Sequence, residues 1–91
     1  MTTYQIDIPR HVRRQIEELP GHMRQRVKRT IARLAADPYP TYAEELRGVL
    51  AGRYKVKLDD FRIVYRVNDE VAVILLLKVG KKHDNFYNEV D

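Results

Sequence analysis

Between Arg53 and Tyr87 the chain gathers side chains of the kinds that manage a phosphate. Arg53, Lys55 and Lys57 recur at every second position, and Arg62 and Arg66 repeat the device a few residues later. Lys81, Lys82 and His83 follow, and a phenol, Tyr87, closes the run. Ammonium and guanidinium groups stabilise negative charge as it develops on phosphorus, and a phenol held among cations is a candidate general base. Each feature also has an ordinary reading: a solvated strand face for the lysines, and an aromatic beside Phe86 that pins the tail for Tyr87. Against the first stands a cost. Like charges two residues apart on a strand lie roughly 6 to 7 Å from each other, which at an effective dielectric of about 20 amounts to some 2 to 3 kcal/mol per pair before salt screening. Such a row is relieved by a docking anion or by nearby acids, and Asp59 and Asp60 sit at a turn.

Other chemistries find little support. The chain has no cysteine, so it has no disulfide framework, thiolate metal site or cysteine nucleophile. His11, His22 and His83 lack metal-ligand spacing, and there is no Gly-rich phosphate loop or nucleophile elbow. No metal and no cofactor are expected. Tyr39 and Tyr42 could stack on a base or cover an edge of the core.

The elements that must position the cations are strands. Tyr54, Val56 and Leu58 alternate with Arg53, Lys55 and Lys57, and Phe61, Ile63, Tyr65 and Val67 alternate with Arg62, Val64 and Arg66. The nearly unbroken apolar run VAVILLLKV reads as a third strand covered on both faces. Asp59-Asp60 and Asn68-Asp69-Glu70 supply the turns of an antiparallel meander. Upstream, Tyr4, Ile6 and Ile8 form a short opening strand that ends at Pro9. Val12, Ile16 and Leu19 then make one apolar stripe on a helix stopped by Pro20-Gly21. A second helix over 22–36 buries Met23, Val27, Ile31, Leu34 and Ala35 and carries Arg26, Arg29 and Arg33 along a flank; the two pack as a hairpin. The connector from Thr41 to Gly52 is expected to hold one helical turn around Ala43 to Arg47, and the tail from Asn88 to Asp91 is expected to fray. The fold class is α+β, a small antiparallel β-sheet of about four strands packed by an N-terminal α-helical hairpin, in the order β-α-α-β-β-β with a short C-terminal segment.

Length and charge bound the rest. Ninety-one residues make one small domain, 1–91, with room for one core. Seventeen Lys and Arg against thirteen Asp and Glu give a net charge of +4, which favours an anionic partner such as nucleic acid or an acidic protein segment. The N-terminal stretch has no apolar signal core and VAVILLL is far short of the about 20 residues that span a membrane, so a cytoplasmic protein without a membrane partner is expected.

Taken together, Leu46-Arg47-Gly48, Tyr54-Lys55-Val56-Lys57, Phe61-Arg62-Ile63-Val64-Tyr65 and Val79-Gly80-Lys81-Lys82 before Tyr87 resemble the RelE branch of the RelE/ParE toxin superfamily, and the likeness runs over nearly the whole chain. The resemblance implies a toxin of a type II toxin-antitoxin system that cleaves messenger RNA in the ribosomal A site without metal. It implies that Lys55 and Lys57 hold the scissile phosphate, that Arg62 stabilises charge there, and that Tyr87 activates the attacking 2′-hydroxyl. Lys82 stands where the best-studied members have arginine, and so keeps the charge but loses the planar fork. Arg53, Arg66, Lys81 and His83 are then the flanking RNA-binding residues. The implied partners are the ribosome, its message and a RelB-like antitoxin, with operator DNA reached only through the antitoxin complex. A ParE-like gyrase inhibitor and a non-catalytic module that binds nucleic acid or protein are the alternatives.

Overall fold

Pro9 and Pro20 set the helical half of the molecule. Each stands immediately before a helix, α1 (Arg10–Glu17) and α2 (Gly21–Ala36), where a missing N–H costs nothing because first-turn donors have no acceptor within the helix. Val12 and Ile16 of α1 and Met23, Val27, Ile31 and Leu34 of α2 are buried against a sheet. Thr30 is buried among them, and its hydroxyl donates to the Arg26 carbonyl at 2.8 Å, so no polar atom of that side chain is stranded. The structure, a computed structural model, describes residues 3–90. Among these, no helix is long and apolar enough to cross a membrane.

The sheet has five strands: β1 (Gln5–Asp7), β2 (Ala43–Glu45), β3 (Arg53–Leu58), β4 (Phe61–Asn68) and β5 (Val73–Lys81), in spatial order β1-β5-β4-β3-β2. The meander β3-β4-β5 is antiparallel as expected. The α+β class and the element order hold, with two changes. First, β1 runs parallel to β5, with Ile6 opposite Ile74, which makes the sheet mixed. The chain leaves β1 into the helices and returns only through β5, and a parallel neighbour requires such a long crossover. Second, the connector holds a strand at Ala43–Glu45 and a 3-10 turn at Gly48–Leu50 instead of a helical turn. Glu44 lies opposite Lys55 and Glu45 opposite Tyr54, so acids meet the cationic strand at the sheet edge.

Two details fix the register. The side-chain carbonyl of Asn68 accepts the backbone N–H groups of Glu70 and Val71, closing the β4-β5 turn. Within β5, Val64 pairs with Lys78 but Tyr65 pairs with Leu76, so Leu77 is an extra residue. The bulge keeps Leu76 and Val79 in the helix-side core and turns Leu77 and Lys78 toward the other face. At the far end, Asp69 accepts the hydroxyls of Tyr39 at 2.7 Å and Tyr4 at 2.5 Å, and these bonds hold its carboxyl below the usual range. The Tyr39 ring meets Tyr54, which stacks on Tyr65, so Tyr39 covers a core edge.

Candidate functional site

The face of the sheet turned away from the helices carries the cations. Alternation along β3 sends Arg53, Lys55 and Lys57 to it, and the register sets Arg53 opposite Arg66, Lys55 opposite Val64 and Lys57 opposite Arg62. Directly opposed residues have Cβ atoms about 4.5 to 5.5 Å apart, so two like-charge pairs face each other across the strands. Glu44 of β2 offsets one of them, with its carboxylate 3.6 Å from the Lys57 ammonium. Arg62 is held by its own turn: its Nη1 donates to the carbonyls of Asp59 at 2.8 Å and Phe61 at 2.9 Å. Its buried Nε has no hydrogen-bond partner among the described residues.

A small apolar cluster lies at the centre of this face. Val64 and Leu46 pack against Phe86 and Val90, with Leu50, Leu77 and Tyr87 around them. Phe86 and Tyr87 belong to a 3-10 turn, Phe86–Glu89, that lies across the strands. Phe86 sits over Gly80, where an added Cβ would stand 3.7 Å from its ring. Tyr87 packs edge-on against Phe86, with ring centroids 5.1 Å apart, and the Lys55 ammonium lies 5.7 Å from the Tyr87 centroid. The Tyr87 hydroxyl is buried and has no hydrogen-bond partner among the described residues. Val90, expected to fray with the tail, is buried in this cluster because an apolar side chain was available to close it; Asp91 lies outside the described residues.

The structure thus brings Lys55, Lys57, Arg62 and Tyr87 to one face, with Arg53 and Arg66 at one end of it. Arg53 also donates to the Val49 carbonyl at 3.3 Å. Lys82 is stationed at the other end, its backbone N–H donating to the Asp60 carbonyl at 2.7 Å. His83 stands nearby, with its Nδ1 accepting the Asn85 N–H and its ring edge toward Phe86. Lys81 does not join them. It lies opposite Phe61, whose ring packs into the helix-side core, so alternation sends Lys81 to that side of the sheet. Two residues escaped the sequence reading. Glu44 was hidden in a strand too short to show a period. Lys78 carried a signal, since a single charge in a strand covered on both faces needs a buried partner. Among the described residues no three His, Cys, Asp or Glu side chains gather closely enough to hold a metal ion.

A five-stranded mixed sheet backed by two helices is the fold of the RelE toxins. A double arginine-to-alanine mutant of the E. coli toxin RelE in the free state superposes with a TM-score of 0.80 at 27% identity, over 98% of this chain and 95% of that one. The archaeal RelE-RelB complex from Pyrococcus horikoshii gives 0.77 at 27% identity, over 91% and 99%. The intact E. coli RelBE toxin-antitoxin complex gives 0.76 at 28% identity, over 88% and 98%. A family model described as ParE-like toxin of type II bacterial toxin-antitoxin system matches residues 6–91, and the chain belongs to that family, in the RelE-like branch of the superfamily. No curated protein sequence matches the chain significantly.

Proposed function

We propose that this toxin is a ribosome-dependent endoribonuclease that cleaves messenger RNA in the ribosomal A site and so inhibits translation. The observation that carries the reading is the meeting of Lys55, Lys57 and Arg62 with Tyr87 on one sheet face. In the reaction the ribose 2′-oxygen attacks the adjacent 3′-phosphorus, the O2′–P bond forms as the P–O5′ bond breaks, and a cyclic phosphate and a free 5′-hydroxyl result. Tyr87, acting as its phenolate, takes the 2′ proton and becomes the neutral phenol. Lys55, Lys57 and Arg62 neutralise the charge that develops on the equatorial oxygens, with Arg62 already oriented by its two carbonyl acceptors. The leaving 5′-oxygen receives a proton from Lys82, His83 or a strand lysine. No water or metal enters the step, and the ribosome supplies the alignment that modest acids and bases need. Because the Tyr87 hydroxyl is shielded in the free protein, the side chain turns outward when RNA binds.

The cationic face also suits an acidic segment of a RelB-like antitoxin, which would silence the toxin by covering it in the cytoplasm; operator DNA is reached only through that complex. Three substitutions test the site: Lys55→Ala, Arg62→Ala and Tyr87→Phe, assayed for cleavage of ribosome-bound message. Loss in all three is expected, and wild-type rates in all three would dismiss the assignment. The name of the matching family keeps a ParE-like gyrase inhibitor as the second reading. Inhibition of DNA supercoiling without RNA cleavage would select it.

A further inference from the structure

Lys78 is the one lysine buried among the described residues, 7% exposed in the middle of the sheet. A buried ammonium persists only where its protons find acceptors. Here Nζ donates to the main-chain carbonyl of Phe86 at 2.6 Å and lies 4.2 Å from the centroid of the Phe86 ring, a charge-assisted hydrogen bond and a cation–π contact to the same residue. The bulge at Leu77 is what aims it there, since without the extra residue position 78 would face the helices.

We infer that Lys78 is a positioning residue: it fastens the C-terminal turn to β5 through Phe86 and thereby fixes the backbone from which Tyr87 acts. The inference rests on the proposed nuclease reading for its catalytic half only. Among the described residues, the backbone of the turn bonds mainly within the tail, the Asn88 N–H to the Asn85 carbonyl among these bonds. Within it, the Phe86 N–H donates to the His83 carbonyl at 3.0 Å and the Val90 N–H to the Tyr87 carbonyl at 3.4 Å, and both bonds join parts of the tail to each other. Apolar contact with Leu46 and Val64 holds the turn down without fixing its register, whereas a hydrogen bond to one carbonyl does fix it. Phe86 is adjacent to Tyr87 in the chain, so pinning its carbonyl leaves the Tyr87 side chain free to rotate while its Cα stays in place. Lys78 itself touches no substrate.

The test compares Lys78→Met, which keeps an apolar stem of similar length but no donor, with Lys78→Arg, which keeps one. Amide hydrogen exchange on the free proteins comes first, because it needs no activity. Protection of the amides in the tail from Phe86 to Val90 should fall at least tenfold in Lys78→Met, be largely restored in Lys78→Arg, and stay unchanged in α2 and β4. Unchanged tail protection in Lys78→Met overturns the inference; so does uniform loss throughout the chain, which marks a general packing role. Cleavage of ribosome-bound message comes second. Lys78→Met should lower kcat at least tenfold with KM for the programmed ribosome unchanged, and should add less than twofold in a Tyr87→Phe background. A tenfold loss that persists without the Tyr87 hydroxyl, or a faster Lys78→Met enzyme, also overturns it. A wild-type protein that cuts no RNA defeats the nuclease reading, while the exchange experiment still decides whether Lys78 holds the turn.

Discussion

The two faces of the sheet are made from the same strands and packed on opposite terms. Toward the helices, Val56, Ile63, Tyr65, Ile74, Leu76 and Val79 meet Val12, Ile16, Met23, Val27, Ile31 and Leu34 in one continuous core. The one buried phenol there, Tyr65, donates its hydroxyl to the Pro38 carbonyl at 2.8 Å. Toward the C-terminal turn, a small cluster around Val64 and Phe86 is ringed by cations, and buried polar atoms on Arg62 and Tyr87 go unpaired. Of the three buried polar side-chain atoms without a partner among the described residues, two lie on this face, and the third, Arg24 Nε, belongs to α2. Unpaired buried groups and opposed like charges lower stability, and they are tolerable here because the helix side supplies most of the apolar burial. The difference teaches where to look for function: the same strand, read at odd and even positions, holds the fold together and leaves charge waiting for a partner.

The sharpest way to break the contrast is to exchange its consequences. Leu34→Ala on the helix side should cost about 2 to 5 kcal/mol of stability, measured by denaturant unfolding, because Leu34 is fully enclosed. Arg62→Ala on the other face should lower cleavage about 10²- to 10³-fold while leaving the unfolding midpoint nearly in place, which a paired activity and melting experiment reads directly. Arg66→Thr removes the cation set against Arg53 and should stabilise the fold by about 0.2 to 1 kcal/mol, seen as a higher melting temperature at low salt that converges on wild type as salt rises.

The smallest effect concerns the far end of the sheet. Bonds from Tyr39 and Tyr4 lower the folded-state pKa of Asp69, so its contribution is fully present above the ordinary carboxylate pKa and is lost as pH falls through the lowered value. Wild type should therefore melt slightly above Asp69→Asn at pH 7, and the gap should close in acid. A gap that widens on acidification would show that Asp69 is not the acceptor of those hydroxyls.

Much of this was readable beforehand, for identifiable reasons. The helices and the β3-β4 hairpin announce themselves by periods of 3.6 and 2 sustained over several repeats, and the cationic character of one face followed directly. What stayed hidden depended on pairing between distant residues. Three residues at Ala43–Glu45 carry too little pattern to separate a strand from a helical turn, and only β3 beside them decides the matter. The side of the sheet taken by Lys81 and the inward turn of Lys78 depend on one inserted residue, Leu77, which is invisible in a run that is apolar at every neighbouring position. The burial of Val90 required Leu46, 44 positions away, to be waiting.

The placement of β5 has a consequence for how the molecule comes into being. It is the last strand to be synthesised, yet it lies inside the sheet and both β1 and β4 hydrogen-bond to it. A nascent chain released before about residue 73 offers β1 no neighbour and leaves one edge of β4 open, so such a product does not reach the finished architecture. Should this protein sever the messages that ribosomes are reading, its own included, copies interrupted before β5 are born harmless.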